Sequence, residues 1–568
     1  MTTRSLTATL AWLLTTATKP IPAEWVPGAA DHERQALGTL ASICAHALGA
    51  SAPDSWNIAM RSWLDGAVEV PPDVLEELDK ALNDAPDKTL ADLYANLVAG
   101  PRRRVLGTFF TPVLEAASLL ELWDASQDAP THVTDVGAGV GVFTAAAASR
   151  WPQAQVAAVD VNPVTLALLG ARMSQRDISG HTDRIDLVLE DFTTWLPKQT
   201  PAPGVRRLTL GNPPYTRSQL IPAEMRSRLA EETAELCGSR ASLSAYIAAL
   251  TLQHLEPDDG LCLLLPAQWL EADYARNLRH HLLVSTSRRI DLRLVSSAWF
   301  KDATVDAIVL LVGTQRNQDE PFTVAEWGSH GVRTIDRKKA SEQGWRTWFD
   351  VSTQSSVQRS PNARLLGEIA RVRRGTATGA NEFFLLSEES ATEHKLPDNV
   401  LMPVVRRLSA YANKVTETAF RRQSVSDRAW LLRATKQDAE NSAVAAYLAY
   451  GKKQKFDQRH LCQVRVGDWY DLNHDLFVPD VIITAMTRGG FRVVENEIEA
   501  AITNNLYGWQ WKPGITTKKQ QAAVLVWLRS PQGQAAVLAL ARSQGNGLNK
   551  VEPTALASLE LPAATLGK

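Results

Sequence analysis

Seven short apolar segments between residues 105 and 315 constrain the fold of this chain most strongly. Each is rich in aliphatic or β-branched residues, and stretches with helical spacing of apolar residues separate them. The segments read THVTDVG, QVAAVDV, RIDLVLED, RRLTLG, GLCLLLP, IDLRLV and TVDAIVLLV. Continuously apolar strands that alternate with helices indicate a mostly parallel sheet covered on both faces. The sequence therefore predicts a doubly wound α/β domain, which binds ligands at the carboxyl ends of its strands.

The remainder of the chain divides into three parts with different patterns. Residues 1–104 show helical spacing of apolar residues and proline-containing breaks, so we predict a helical N-terminal segment. Residues 316–360 are polar and irregular, which is typical of a connector. Residues 361–568 combine Gly- and Asn-rich turns, scattered aromatic residues and short strands, and this pattern predicts a mixed α+β domain.

Charge is distributed unevenly between these parts. The 568 residues carry a net charge of −2, and 45% of them are hydrophobic. Residues 361–568 contain 27 Lys and Arg against 20 Asp and Glu, so the acidic excess lies in residues 1–360. A basic part attached to an acidic remainder fits a module that binds a polyanion. On charge alone, a solvated surface with a mild bias explains the excess equally well.

Cysteine spacing and hydropathy indicate the cellular compartment in which the protein is expected. The four cysteines are far apart and form no CxxC pair, which argues against a disulfide framework or a zinc site and fits a reducing cytosol. Threonines interrupt the apolar run that follows Arg4, so we expect an amphipathic helix there and no signal peptide. No apolar run approaches the roughly 20 residues that a membrane span needs. The sequence predicts a soluble cytoplasmic protein with no metal site and no membrane partner.

Glycines and carboxylates follow the first three predicted strands. The first strand runs into a GxGxG turn, where the missing Cβ atoms let the backbone approach a ligand. This spacing differs from the GxGxxG of dinucleotide-binding turns. Asp160 ends the second strand, where it can bind ribose hydroxyls, and Asp191 with Phe192 ends the third, offering an acceptor for an adenine amine beside an apolar ring. The cofactor-binding residues predicted in the turn are Asp135, Gly137, Ala138, Gly139 and Gly141.

The fourth predicted strand ends in the segment GNPPY at residues 211–215. Pro213 and Pro214 have fixed φ and no N–H, so they can continue neither a strand ladder nor a helix, and they leave the Pro213 carbonyl free to accept. Taken alone, the segment is most simply a Pro-Pro turn. Because the three preceding strands also end in residues suited to binding a ligand, a role for GNPPY in binding or catalysis is the better explanation.

This ordered set of segments resembles the S-adenosylmethionine-dependent amino-methyltransferases, and its NPPY form resembles the DNA adenine methyltransferases. Upstream, the segment GTFFTP at residues 107–112 is similar to the motif that wraps around the cofactor in this family. This motif order, with a recognition domain last, is that of the gamma class. The resemblance implies a Rossmann-like methyltransferase domain with a seven-stranded, mostly parallel sheet, and S-adenosylmethionine as cofactor. It adds these cofactor-binding residues: Thr108, Phe110, Thr111, Pro112 and Asn212.

The resemblance also implies how GNPPY acts. If the Asn212 side-chain oxygen and the Pro213 carbonyl accept the two hydrogens of an adenine amine, its nitrogen can aim a lone pair at the methyl sulfonium. No strong general base is required. Tyr215 would stack on the flipped-out base, with Phe300 on the opposite face. The predicted catalytic residues are Asn212, Pro213, Pro214 and Tyr215.

Three segments of the second domain, at residues 373–386, 502–509 and 545–553, are similar to target-recognition domains of type II restriction–modification methyltransferases. The implied partner is double-stranded DNA, together with a separate cognate endonuclease or defence-system subunits, and the implied location is the bacterial nucleoid. Phosphate contacts are expected from clusters such as the lysines at 452, 453 and 455, for which a solvated helix end is an equally good explanation.

Several alternatives stay open at this point. Methylation of the cytosine N4 amine uses the same geometry, usually with serine in place of Asn212. NPPY and related motifs also occur in methyltransferases that act on protein glutamine or on ribosomal RNA, although these generally lack a long basic domain. A DNA-binding defence component could merely sense the cofactor. Cytosine ring-carbon methylation is excluded because no cysteine follows a proline, and a fused nuclease is not supported because nothing completes the Pro479-Asp480 half-site.

Overall fold

The computed structural model describes most of the chain in two compact units, residues 1–351 and 352–568. The described residues are 6–49, 52–98, 111–175, 182–200, 204–295, 306–316, 320–329, 331–338, 340, 345–349, 364–424, 429–543 and 548–566. Within these ranges, no helix combines the length and the apolar character needed to cross a membrane.

The first unit is built on a nine-stranded sheet with the order β3-β2-β1-β4-β5-β7-β6-β8-β9. Its strands are β1 (His132–Val136), β2 (Gln155–Asp160), β3 (Ile185–Leu189), β4 (Arg207–Gly211), β5 (Gly260–Pro266), β6 (Ile290–Val295), β7 (Ala307–Val312), β8 (Phe322–Glu326) and β9 (Arg333–Thr334). Strands β1 to β5 are mutually parallel, and β7 runs antiparallel between β5 and β6. The seven predicted segments are strands β1 to β7, so the doubly wound α/β fold is confirmed.

Helices cover both faces of this sheet, which explains why β5 and β7 are buried along their whole length. The helices are α1 (Thr7–Thr15), α2 (Asp31–Leu48), α3 (Ile58–Leu64), α4 (Pro72–Asp84), α5 (Pro86–Leu97), α6 (Val113–Asp124), α7 (Val142–Arg150), α8 (Pro163–Gln175), α9 (Phe192–Trp195), α10 (Ala223–Glu232), α11 (Leu243–Gln253) and α12 (Arg276–His280).

The predicted helical segment 1–104 is part of the first unit and packs directly on α8. Eleven of the thirteen residues of α8 are buried, because α2, α3 and α5 cover the face that the sheet does not. The fit is close at Gly170, where an added Cβ would lie 2.1 Å from Cζ2 of Trp56. The N-terminal helices therefore complete the core around the helix that follows β2.

The prediction that residues 316–360 form an irregular connector is wrong for the part that the structure describes. Strand β8 pairs in parallel with β6, and β9 pairs with β8, so the sheet has two strands more than the seven predicted. Phe322 and Trp345 are buried with their ring centroids 5.4 Å apart. The apolar run FTVAEW is short and lies between polar residues, so its sequence pattern for a strand is weak. It forms a strand because it pairs with β6 in the folded chain.

The second unit is a mixed α+β structure, as predicted. Its sheets have the orders β11-β20-β16-β18-β14, β12-β15-β13-β19, β17-β22-β21 and β10-β23. The strands are β10 (Arg364–Leu365), β11 (Ala370–Arg374), β12 (Leu385–Leu386), β13 (Leu401–Val405), β14 (Lys414–Val415), β15 (Trp430–Leu432), β16 (Val481–Thr484), β17 (Met486–Thr487), β18 (Val493–Asn496), β19 (Ala501–Ile502), β20 (Leu506–Trp511), β21 (Arg542–Ser543), β22 (Asn549–Lys550) and β23 (Glu560–Leu561).

The helices of the second unit are mostly short. They are α13 (Leu366–Ile369), α14 (Asn381–Phe384), α15 (Glu388–Glu393), α16 (Glu417–Ser424), α17 (Ser442–Lys453), α18 (His460–Gln463), α19 (Lys518–Arg529), α20 (Pro531–Ala539), α21 (Pro553–Ala557) and α22 (Ala563–Leu566). Phe383 is buried and stacks on Tyr447 with centroids 4.8 Å apart, which joins α14 to α17.

Candidate active site at the strand ends

The glycine turn after β1 depends on backbone conformations that favour glycine. Gly137, Gly139 and Gly141 have φ values of 69°, 54° and 78°, in the left-handed region where a Cβ atom is strained. A Cβ on Gly141 would also lie 2.3 Å from Cγ of Leu169, so glycine is needed there for helix packing as well. Ala138, between them, is buried. The turn places the start of α7 directly against α8.

Asp160, at the end of β2, is bonded into this turn. Its Oδ2 accepts a hydrogen bond of 2.8 Å from the Gly139 N–H, and its Oδ1 accepts one of 2.8 Å from the Asn162 N–H. Burial raises the pKa of the Asp160 carboxyl above its usual range. Asn162 in turn donates from Nδ2 to the Tyr94 hydroxyl at 3.2 Å, which links α5 to the strand end. The predicted ribose-binding carboxylate is therefore held by the glycine turn and by Asn162, and α5 contacts Asn162 through Tyr94.

Asp135 lies inside β1 and is buried, although the sequence placed it in the cofactor-binding turn. Its Oδ2 accepts bonds from the Thr144 N–H at 2.8 Å and from the Thr144 hydroxyl at 2.7 Å. Burial raises the pKa of the Asp135 carboxyl to about 7, although the Thr144 bonds oppose this shift. In this geometry Asp135 supports the turn by holding the first part of α7, and contact with a cofactor stays a prediction.

The Asp135→Asn substitution is expected to change how stability depends on pH. Because the folded-state pKa of Asp135 is raised, the native protein binds more protons than the unfolded chain between about pH 4 and pH 7. Its contribution to the free energy of unfolding therefore falls as the pH rises through this window. An asparagine oxygen can still accept from Thr144 but cannot titrate. We expect the free energy of unfolding of the variant, relative to the wild type, to increase from about pH 5 to pH 7.

Urea unfolding of both proteins at a series of pH values measures this difference. Asp160→Asn is a second test, because burial also raises the pKa of the Asp160 carboxyl and the difference in stability should change with pH in the same direction. A gap between Asp135→Asn and the wild type that does not change with pH would contradict the buried, titrating carboxyl.

At the end of β3, Asp191 caps the short helix α9. Its Oδ1 accepts from the Thr193 N–H and from the Thr193 hydroxyl, both at 2.8 Å. Arg228 of α10 donates from Nη2 to the Thr193 hydroxyl at 2.8 Å, so the helix that follows GNPPY is tied to this strand end. Phe192 is buried in the core with Val136, and its predicted contact with an adenine ring stays a prediction.

GNPPY leaves β4 immediately beside the glycine turn. Gly211 has a φ of 140°, and a Cβ there would lie 2.7 Å from the Val136 carbonyl oxygen of the neighbouring strand. A Cβ on Gly137 would lie 3.6 Å from Cδ of Pro214 and 3.8 Å from Cα of Pro213. Because β1 and β4 are adjacent and parallel, their two carboxyl-end segments are in close contact. This contact brings the predicted catalytic prolines to the predicted cofactor turn.

The Asn212 side chain is oriented by a residue from outside the sheet. Its Nδ2 donates to the Thr111 hydroxyl at 3.2 Å, and Thr111 is buried. Pro112 follows it at the start of α6. Tyr215 is half-buried, and burial raises the pKa of its hydroxyl. The end of the GTFFTP motif therefore meets the NPPY motif directly.

Three predicted site residues lie outside the described residues. They are Thr108, Phe110 and Phe300. Their roles in wrapping the cofactor and in stacking on the target base stay predictions from the family resemblance.

Several residues that shape the site were missed in the sequence. Asn162 belongs to the run Asp160-Val161-Asn162-Pro163, where an Asn before a Pro at a helix start is a recognisable capping signal. Thr144, Thr193 and Arg228 carry no such local signal. Their roles depend on contacts that only the folded chain creates.

The fold and the site together define the class of protein. A sheet of parallel strands with an antiparallel β7 between β5 and β6, a glycine turn after β1 and carboxylates after β2 and β3 form a Rossmann-like methyltransferase domain. The comparisons with known proteins then narrow this class.

Residues 350–568 match the family model of the type II methyltransferase M.Eco57I, C-terminal domain. The chain is 26% identical over 477 residues to type II methyltransferase M.XamI of Xanthomonas campestris pv. amaranthicola, covering 82% of this chain and 86% of that protein. It is 21% identical over 488 residues to type II methyltransferase M.AccI of Acinetobacter calcoaceticus, with the same two coverages.

Further relatives match only part of the chain. The tRNA1(Val) (adenine(37)-N6)-methyltransferase of Porphyromonas gingivalis is 27% identical over 188 residues, covering 31% of this chain and 64% of that protein. Taken together, the comparisons confirm the predicted resemblance of this chain to type II methyltransferases.

Proposed function

We propose that this protein transfers a methyl group from S-adenosylmethionine to the N6 amine of an adenine that is flipped out of duplex DNA. The observation that carries the proposal is the contact between GNPPY and the glycine turn. Pro213 and Pro214 approach Gly137, while Thr111 orients the Asn212 amide at the same strand end. A base amine held by GNPPY therefore lies next to the place where the cofactor binds in this fold.

The residues at the strand ends fit S-adenosylmethionine. The positive φ values of Gly137 and Gly139 keep Cβ atoms out of the turn, so a ligand can approach the backbone. Asp160 is an acceptor for ribose hydroxyls, and Asp191 is an acceptor at the next strand end. When bound, the cofactor supplies an electrophilic methyl group on a positively charged sulfur. The protein groups bind and orient the reactants and exclude water.

The catalytic contribution of GNPPY is positioning and electrostatic. An exocyclic amine is a poor nucleophile because its lone pair is delocalised into the ring. The Asn212 Oδ1 and the Pro213 carbonyl would accept its two hydrogens, which frees the lone pair to point out of the ring plane. The two prolines hold both acceptors stiffly. Tyr215, adjacent in the chain, would stack on the base, and Phe300 would cover the opposite face.

Adenine is the favoured base for two reasons. The motif has asparagine at residue 212, whereas enzymes that act on cytosine N4 usually have serine there. The Porphyromonas gingivalis relative, which matches part of this chain, is named as an adenine-N6 methyltransferase. Cytosine N4 is the second candidate, since the same two acceptors fit its amine. A protein or ribosomal RNA substrate is disfavoured by the match of residues 350–568 to a type II methyltransferase domain.

The biological role we propose is modification in a restriction–modification or phage-defence system. Both long relatives are named type II methyltransferases. We further propose that residues 361–568 are the target-recognition domain, that residues 105–315 form the catalytic domain, and that any cognate endonuclease is a separate protein.

Single-molecule sequencing of DNA from a methylation-deficient host that expresses the protein tests the proposal. We expect N6-methyladenine at one short sequence, and none in a host expressing the Asn212→Ala variant. If N4-methylcytosine is found at a defined site instead, the target base is cytosine and not adenine. Unmodified DNA, when folded protein that binds S-adenosylmethionine can be purified from the same cells, would refute DNA methylation.

The Thr111→Val substitution is expected to lower kcat by about tenfold, because it removes the hydroxyl that orients the Asn212 amide at 3.2 Å. Valine has nearly the same shape, so the fold should be retained. Steady-state assays with tritiated cofactor measure the change, and Thr111→Ser, which keeps the hydroxyl, is the control with nearly wild-type kcat. Equal loss in both variants would show that the hydrogen bond is not what matters.

A further inference from the structure

A short segment of the second unit exposes apolar side chains beside basic ones. Residues 459–467, named here the 459–467 segment, contain α18 and the irregular chain that follows it. Val464 and Val466 are 61% and 67% exposed, and Leu461 is 45% exposed. Three exposed apolar side chains within six residues make this segment a candidate interaction surface.

The segment is held rigidly from beneath by Arg465. This residue lies between the two exposed valines but is itself buried. Its Nη2 donates to the Thr378 carbonyl at 2.8 Å, and its Nε donates to Asp475 at 2.9 Å. Its guanidinium also lies 5.2 Å from the Phe384 ring centroid. Because Arg465 points inward and is fully engaged, Val464 and Val466 point outward as a fixed pair.

The motif TGANE at residues 378–382 has its structural role here. Gly379 has a φ of 80°, and a Cβ there would lie 2.9 Å from Cβ of Leu461, so glycine permits the close approach. Glu382 accepts two bonds from the Arg459 guanidinium, at 2.7 and 3.0 Å. The sequence associated residues 373–386, which contain TGANE, with target recognition, and in the structure TGANE supports the 459–467 segment.

Basic side chains lie directly before the segment in the chain. Lys452 and Lys453 end α17 and Lys455 follows them, and all three are exposed. The turn at 456–458 contacts both α17 and α18, so it connects the lysines to the segment in space as well. Between residues 452 and 467 the acid Asp457 is half-buried, and the exposed Asp468 follows the segment. The surface therefore combines a positive flank with a rigid apolar tip.

We propose that this surface contacts duplex DNA, with Lys452, Lys453 and Lys455 on phosphates and the Val464/Val466 pair in a groove against sugars and bases. The proposal deepens the proposed function, on which it rests. Charge complementarity favours DNA as the partner. An apolar tip alone would also fit a protein, but the three lysines beside it would attract the negatively charged phosphates of DNA whatever its sequence. Apolar side chains inserted among bases or sugars in a groove are a known mode of DNA contact.

Two sets of variants of the full-length protein separate the two parts of the surface. Val464→Ser combined with Val466→Ser should raise the Kd for a duplex carrying the methylated site about tenfold, with the salt dependence of binding unchanged. Val526→Ser is the matched control, because Val526 is 68% exposed on α19 of the same unit. Lys452→Gln, Lys453→Gln and Lys455→Gln together should weaken binding to specific and random duplexes alike. They should also make the slope of the logarithm of the binding constant against the logarithm of the salt concentration less negative, by about 2 to 3.

Fluorescence anisotropy with a labelled duplex that carries the site, and with a random duplex of equal length, measures both effects. The salt slope on the random duplex remains measurable if no methylated site exists, so failure of the proposed function and failure of this surface can be told apart. Unchanged affinity in the valine pair and an unchanged slope in the lysine variant would overturn the proposal. So would loss of self-association in the valine pair with DNA affinity intact, because the surface would then bind a second copy of the chain.

Discussion

Replacing Asn212 with alanine is expected to lower the rate of methyl transfer to DNA by about 100- to 1,000-fold. The side chain supplies one of the two acceptors proposed for the target amine, and alanine leaves only the Pro213 carbonyl. The resemblance also implied a cofactor contact for Asn212, but the proposed role of its side chain is to bind the target amine. Affinity for S-adenosylmethionine should therefore stay within about threefold of the wild type, because the carboxylates and the glycine turn are untouched. Single-turnover transfer of a tritiated methyl group and calorimetric titration of the cofactor measure the two quantities separately.

The Asn212→Ser variant is the informative control for this experiment. Serine keeps a polar atom but shortens the side chain, so its activity should lie between those of the wild type and of Asn212→Ala. Because Asn212 Nδ2 donates to Thr111, alanine also loses that contact, and Thr111→Val reports the size of this contribution alone. A rate for Asn212→Ala close to that of the wild type would refute the catalytic assignment, whatever the cofactor affinity.

The Asp160→Ala substitution is expected to raise the Kd for S-adenosylmethionine by at least about 100-fold. Two hydrogen bonds from ribose hydroxyls to a carboxylate are each worth about 1.5–3 kcal/mol. The substitution also removes the acceptor that holds the Gly139 N–H at 2.8 Å, so the turn itself loses a contact. Asp160→Asn keeps one oxygen acceptor and should fall between the two proteins.

The rate at saturating cofactor distinguishes binding from chemistry in Asp160→Ala. If Asp160 acts on the ribose, methyl transfer should recover to near the wild-type rate once the cofactor concentration exceeds the raised Kd. Thermal unfolding without cofactor should be measured in parallel, because Asp160 also accepts from Asn162. A low rate that cofactor does not rescue, in a folded protein, would place Asp160 in the chemical step and contradict the assignment.

The strands of the first sheet were predictable because they follow from local patterns. Short aliphatic and β-branched runs separated by helical stretches favour buried strands, and all seven became strands of the sheet. The β8 strand was not predictable in this way, because its run is short and its pairing with β6 depends on a neighbour more than twenty residues earlier in the chain.

Within the candidate site, the sequence indicated the glycine turn and GNPPY but not the residues that support them or the contacts between them. The glycines at 137, 139 and 141 were recognisable, since their spacing at a strand end requires positive φ. The pairing of Asp135 with Thr144 was not, because it depends on the exact turn of α7. The bond between Thr111 and Asn212 joins residues 101 positions apart, and no local pattern encodes such a contact.

By itself, the sequence indicated the class of chemistry, because the order of the glycine turn, the two carboxylates and GNPPY at successive strand ends resembles that of the amino-methyltransferases. The tertiary structure decided which residues contact and support these site residues. It showed Asp135 supporting the turn, α5 reaching Asp160 through Tyr94 and Asn162, and the second unit presenting Val464 and Val466 on a rigid base. Such contacts come from packing between distant segments, whose relative positions depend on the whole core and not on any one stretch of chain.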